Sequence, residues 1–455
     1  MKASEKLNPI MATLSTYMSE AAGRELPATV VRETKHHILD TVAAMVSGAE
    51  LIPGQHALRF ARDYGGSPVA TVVACDLLIG PMEAAMVNGV LANADETDDN
   101  YSTGGAHPGC AIVPAALAIG EKNGIDGTRF IRAVALGYDV GLRAFKLVAK
   151  GGVLRETHNI VGTFGASAAC GCAVALDTPQ MRTLLAYASQ QAGAGIGAWR
   201  QDTEHVEKSF MFGGMGARNG VTAAMLVQAG WTGVNDVFSG PGNLLQSYAP
   251  QVDPGILVHK LGEEYEVQKT IIKKWSTGGP IQSPLDAIQA IRERRPFQPD
   301  DVRQIAVRVA TSTIDKIDDS VMPNLSMQQM IAILLIDGTL SFKAAHDEPR
   351  MRDPAVLRQK AKIKVIAEES LERLLPKRVA IVEVTLSDGS VMTERSDTVR
   401  GTPENPMSTE EVAAKARDLV GPVLGDGQCA SLIETILALD NVRDLRALRP
   451  LLQRA

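Results

Sequence analysis

Four carboxylates, Asp95, Glu96, Asp98 and Asp99, fall within five positions of the chain, and His107 follows eight residues after the last of them. Crowded carboxylates raise one another's pKa, and an imidazole titrates near neutrality, so such a group can orient, give and take protons. The cluster interrupts two strongly apolar runs, Pro81 to Ala92 and Ile112 to Ile119, and leads into His107-Pro108-Gly109. On a solvated face an acidic run usually has no further meaning. Set between helices that are apolar nearly all round, it reads as the floor of a pocket.

Three other places hold polar residues where a helical pattern would favour apolar ones. His158 precedes the apolar stretch Ile160-Val-Gly-Thr-Phe-Gly-Ala and so stands at a helix start. There the positive end of the helix favours a neutral imidazole and a bound anion, although a lone histidine in that place is more often a simple cap. Lys208 enters the stretch Ser209-Phe-Met-Phe-Gly213-Gly214-Met-Gly216, from which Arg218-Asn219 continue. It can meet a carboxylate or simply snorkel. The Gly213-Gly214-Met-Gly216 segment is a weak phosphate-loop signal, lacking the Lys-Ser/Thr that should come next. Lys273-Lys274-Trp275 and Gly278-Gly279 form the third place, which is otherwise an ordinary strand end and turn.

These residues need elements to position them. At 455 residues, with 45% hydrophobic and 22% charged residues, the chain is an ordinary globular sequence of two or three domains. Its net charge of −6 and the lack of a basic stripe argue against a nucleic-acid partner. Only five cysteines occur, without a CxxC pair, which points to a reduced, cytoplasmic setting. The N-terminal stretch has no apolar core of a signal peptide, and no run is long enough to span a membrane. From about residue 8 to 231 apolar residues recur at three- and four-residue spacing, as in Pro27–Val46, Phe130–Val148 and Gly165–Val174. Gly120, Gly151-Gly152 and Gly230 read as helix stops. Strand-like alternation begins at Tyr265 and recurs in Val302–Ala310 and Val379–Leu386, with a hairpin turn at Ser387–Ser390. Helical runs Pro284–Arg294 and Met327–Ile336 lie between. The expected fold is mostly α: a discontinuous helical domain, residues 1–264 and 404–455, around an α+β domain, residues 265–403.

The residues Asn88-Gly-Val, Glu96-Thr-Asp98-Asp99, His107-Pro108-Gly109, Val113-Pro114-Ala115-Ala116 and Gly137-Tyr138-Asp139 resemble the MmgE/PrpD family. The resemblance continues through His158-Asn-Ile-Val-Gly162-Thr163, Lys208-Ser209-Phe, Gly216-Ala-Arg218-Asn219-Gly220, Gly279-Pro-Ile-Gln-Ser-Pro and Leu335-Ile-Asp337-Gly338, in the family's order. That family includes 2-methylcitrate dehydratase, cis-aconitate decarboxylase and iminodisuccinate epimerase. The resemblance implies a large all-helical domain formed by both termini, a smaller α+β lid, a homodimer, and an interdomain site without metal or cofactor. It carries the family's two histidines to His107 and His158 and its lysines to Lys208 and Lys273. Where the family motif has Asp-Phe-Asp-Asp-Thr, this chain has Glu96-Thr97-Asp98-Asp99-Asn100, with one more residue before the histidine. The decarboxylase tyrosine falls on Gln329.

The implied function is a cofactor-free lyase of a small di- or tricarboxylate, dehydratase-like, removing a proton next to a carboxylate with loss of water. His107 and His158 would be acid and base, with Glu96 or Asp98 orienting an imidazole or acting as the base. Lys208, Lys273 and Arg218 would clamp carboxylates, and Asn100 and Gln329 would contact the substrate. Decarboxylation or epimerisation of a related polycarboxylate would use the same residues. Two other classes stay open: a hydrolase with a divalent metal in the acidic cluster, and an inactive paralogue that only binds.

Overall fold

Pro81 takes a helix's first position, where the missing N–H has no partner to lose, and opens the helix Pro81–Ala92. That helix belongs to the first of two units, residues up to Thr270 together with those from Ala413 onward. Its companions there include Ala28–Gly48, Gly109–Asn123, Gly127–Ala149, His158–Ala173 and Met215–Gln228. The second unit spans Ile271–Val412. The structure, a computed structural model, describes residues 7–101, 105–149, 157–193 and 197–454.

Small residues let the helices of the first unit touch backbone to backbone. A Cβ on Gly213 would lie 2.0 Å from the carbonyl oxygen of Gly89, and one on Gly216 would lie 2.8 Å from Gly162 Cα. The Gly213-Gly214 pair therefore serves close packing, which removes the phosphate-loop reading of that segment. Gly120 is likewise no helix stop. It lies inside Gly109–Asn123, where a Cβ would meet Leu445 Cδ2 at 2.7 Å, and the helix ends instead at Gly124, whose φ is 63°. Gly230, at φ 84°, does close the helix Met215–Gln228, with its N–H bonded to Val227 O at 3.0 Å. Gly151-Gly152 lie outside the described residues.

The fold is mostly α, but the first unit also carries a two-residue ladder between Ala70–Thr71 and Leu78–Ile79. The alternation from Tyr265 is a 3₁₀ turn, Glu266–Lys269, before a strand of only two residues. Thr270 Oγ1 donates to Glu266 O at 3.0 Å and closes that turn, a local bond that the alternating pattern does not anticipate.

In the second unit a four-stranded sheet runs in the order Ile363–Ala367, Val302–Val309, Ala380–Leu386, Val391–Ser396. The first pair is parallel and the others antiparallel. Helices Gly279–Arg294 and Met327–Asp337 contribute Ile281, Leu285, Ile331 and Leu335 to a core shared with Ile305, Val307, Val382 and Val384. Among the described residues no helix is long and apolar enough to cross a membrane, and no His/Cys/Asp/Glu group is arranged to hold a metal. All five cysteines are free and buried.

Candidate active site

The acidic stretch leaves the helix Pro81–Ala92 at Asn93, and its side chains tie the loop to its surroundings. Asn93 Nδ2 donates to Asp98 Oδ2 at 2.8 Å, while Asp98 Oδ1 lies 2.9 Å from His107 Nδ1. Asp98 is fully buried and His107 nearly so. The carboxylate thus holds the proton on Nδ1 and leaves Nε2 as the ring nitrogen open to a further partner. Asp99 serves different partners. His37 Nδ1 lies 2.7 Å from its Oδ2, Tyr138 Oη donates to the same oxygen at 2.5 Å, and the Gly109 N–H donates to Oδ1 at 3.0 Å. Burial alone would raise the Asp99 pKa, yet the hydrogen bond and charge of His37, with Tyr138 and Gly109, hold it below the ordinary value.

Below the loop, Lys415 Nζ donates to Asp40 Oδ1 at 2.6 Å and to Thr97 O at 2.9 Å. Burial raises the Asp40 pKa against the pull of Lys415. Asp95 accepts from the Thr97 N–H at 3.0 Å and from its hydroxyl at 2.5 Å. Two of the four carboxylates, Asp95 and Asp99, are consumed in holding the loop. Cys110 is no nucleophile, because burial and then Asp98 and Asp99 push its pKa well above that of a free thiol.

The opposite wall comes from His158, the first residue of its helix, and from a helical segment with a defect. Val206–Ser209 is α-helical, Phe210–Gly214 is a single π turn, and Met215–Gln228 is α-helical again. A π turn adds one residue to the repeat and rotates the side chains beyond it. Here it presents Phe212, whose ring stacks on His158 at 3.9 Å between centroids and meets His107 edge-on at 5.3 Å. Lys208 Nζ lies 5.2 Å from the same ring, and Trp199 closes on it at 5.0 Å. Phe212 is the shared contact of both histidines and the lysine. The rings packed around partly exposed His158 strip it of water, and His107, Lys208 and Arg200 add positive potential. Its pKa therefore falls well below 6.5, and the ring is neutral at pH 7.

The buried Lys208 ammonium contacts the Glu96 carboxylate directly. His205 lies beside them, its Nε2 3.9 Å from Glu96 Oε1. Its backbone is left-handed, with φ 62° and ψ 10°, a conformation that costs a non-glycine residue about 1–2 kcal/mol. Burial, and then Lys208, lower its pKa to about 4.

Of the residues singled out from the sequence, the first unit brings His107, His158 and Lys208 together on Phe212, with Asp98 bonded to His107 and Glu96 to Lys208. Asn100 is buried at the far end of the loop, while Arg218 is exposed and its Nη2 donates to neighbouring Asn219 at 3.3 Å. Lys273 and Gln329 lie buried in the second unit. Both amide atoms of Gln329 lack a hydrogen-bond partner among the described residues. His37, Asn93, His205, Phe212 and Lys415 escaped the sequence reading. The pair His36-His37 in an otherwise apolar helix was the available signal for the first; Lys415 lies 375 residues from Asp40 and had none.

An imidazole oriented by a buried carboxylate, a second held neutral, and an ammonium in a poorly hydrated wall suit proton transfer on a small anion. Residues 12–256 match the MmgE/PrpD N-terminal domain, and residues 275–441 match the MmgE/PrpD C-terminal domain. The chain is 24% identical over 480 residues to the cis-aconitate decarboxylase of Aspergillus terreus (strain NIH 2624), with 97% of this chain and 96% of that protein covered. With the cis-aconitate decarboxylase of Homo sapiens it is 25% identical over 468 residues, covering 98% and 95%. The Mus musculus protein of the same name is 25% identical over 445 residues, covering 93% and 89%.

Proposed function

From the premise that this chain belongs to the MmgE/PrpD family, we propose that it is a cofactor-free lyase acting on a small di- or tricarboxylate, as a dehydratase. The observation that carries the reading is the meeting of His107 and His158 on Phe212, with the Asp98 carboxylate behind the His107 ring. Neutral His158 takes the proton from the carbon next to a substrate carboxylate. The electron pair moves toward that carboxylate, whose developing charge Lys208 stabilises. His107, held in place by Asp98, gives a proton to the departing hydroxyl; the C–O bond breaks, a C=C bond forms and water leaves. Glu96 holds Lys208 until the substrate arrives. Asn100, Arg218, Lys273 and Gln329 are proposed as further substrate contacts.

Decarboxylation is the second reading, favoured by the names of the Aspergillus, human and mouse relatives. In that reaction a C–C bond breaks, CO₂ leaves and a histidine protonates the carbanion, so the same residues serve. Incubation with citrate, methylcitrate and cis-aconitate in D₂O, with NMR of the products, separates the cases. Loss of water supports dehydration, and CO₂ with one deuterium in the product supports decarboxylation. Deuterium uptake with neither indicates epimerisation. Turnover abolished by EDTA would return the metal-dependent hydrolase, and turnover unchanged in His158→Ala would overturn this site. The protein is further proposed to be a cytoplasmic homodimer, which sedimentation equilibrium tests through a mass twice 48.4 kDa.

A further inference from the structure

His205 combines two unfavourable features that a residue serving only to turn the chain would not retain. Its backbone is left-handed, where glycine would be free of strain. Its imidazole is buried, and Nδ1 has no hydrogen-bond partner among the described residues. Burying an unpaired polar atom is unfavourable, so a glycine here would remove both penalties at once. Strain of this kind, where it persists, is a pointer to function.

The place of the ring supplies the function. Its Nε2 faces Glu96 Oε1 at 3.9 Å, and Glu96 is in direct contact with Lys208, three residues further along the same helical segment. On the reading proposed above, a substrate carboxylate competes with Glu96 for the Lys208 ammonium. A displaced, half-buried carboxylate is costly unless another donor receives it. We infer that His205 is a positioning residue that receives the Glu96 carboxylate when a substrate carboxylate takes Lys208. It thereby sets how easily the cation is released to substrate.

The electrostatics are consistent with such a hand-over. Lys208, Glu96, Asp95 and Asp202 are the charged groups that face the imidazole, and Lys208 is the strongest of them. While Lys208 is close and only partly compensated, the ring stays neutral. Once a substrate carboxylate neutralises Lys208, the same ring can donate from Nε2 to Glu96 with less opposition. The neutral imidazole is thus a weak partner in the free protein and a better one in the complex.

The test is a double-mutant cycle on ligand affinity, read by isothermal titration calorimetry with cis-aconitate and citrate on the full chain. Variants are His205→Gly, His205→Asn, Glu96→Gln and Glu96→Gln/His205→Gly. His205→Gly relaxes the backbone, so it should fold with an unchanged far-UV spectrum while its Kd rises about tenfold. Asparagine tolerates the left-handed backbone and offers an amide, and should recover part of that loss. With Glu96→Gln no carboxylate competes for Lys208, so His205→Gly should then move Kd less than about twofold. Unchanged affinity in His205→Gly, or an equal loss in both backgrounds, overturns the role of His205 while leaving the polycarboxylate reading intact. Wild-type protein that binds neither acid overturns that reading, and this inference with it.

Discussion

Asp98 and Asp99 are neighbours in sequence, yet one holds His107 and the other holds His37, Tyr138 and the start of a helix. Their substitutions should fail differently. Asp98→Asn leaves the loop's shape but presents the wrong partner to Nδ1, so kcat/KM should fall about 10²–10⁴-fold with the unfolding midpoint little changed. Asp99→Ala strands three buried donors and should lower stability by about 3–5 kcal/mol, measured by urea unfolding. The depressed pKa of His158 makes a further prediction. A base is lost on protonation, so the acid limb of kcat/KM should fall below pH 6.5, the ordinary histidine value, and His158→Ala should abolish it. The acidic cluster, both histidines and Lys208 were legible because carboxylates and cations are rare between apolar helices. Which carboxylate served which histidine was not, since the choice depends on helices that arrive from distant parts of the chain.

Helix register decides what the second wall presents. The π turn Phe210–Gly214 is one residue longer than an α turn would need, and that residue puts Phe212 between the histidines. Deleting Met211 takes out that extra residue, so that a regular α turn forms and Phe212 no longer stands between the two histidines. Turnover should then drop at least about 10²-fold, while circular dichroism keeps its helical signal. Apolar periodicity revealed the helices on either side but not the defect, because one extra residue in a Met/Phe/Gly run leaves the pattern apolar. Strand Ile363–Ala367 was missed for a related reason: it comes directly after the helix Pro354–Lys360 and mixes exposed and buried positions without clean alternation. The strand Ala380–Leu386 alternates plainly and runs into a recognisable turn, so it was readable.

On the scale of the molecule, the chain divides into a helical unit and an α+β unit, residues 271–412 forming the latter. The helical unit carries a pH-sensitive element away from the histidines. Asp139, fully buried, accepts from Tyr17 Oη and from the Glu266 N–H, each at 2.7 Å. Burial outweighs these bonds and raises its pKa from 3.8 to about 6. A carboxyl raised in the folded state contributes stability that is present below 3.8 and is lost as pH rises through about 6. Relative to Asp139→Asn, the wild-type protein should therefore lose about 3 kcal/mol between those two pH values, as read by urea unfolding. Periodicity could announce a mostly helical fold; it carried no sign of which buried acid would be protonated.

The bond from Lys415 to Thr97 O and Asp40 also has a bearing on biosynthesis. A ribosome makes the acidic loop more than three hundred residues before it makes Lys415, and the whole second unit emerges in between. Until that lysine leaves the exit tunnel, Asp40 and the Thr97 carbonyl lack the ammonium that bonds both in the folded protein. The floor of the proposed site is thus among the earliest parts to be translated and among the last to be completed, and a nascent chain halted before Lys415 would hold every proposed acid, base and clamp while lacking the cation beneath them.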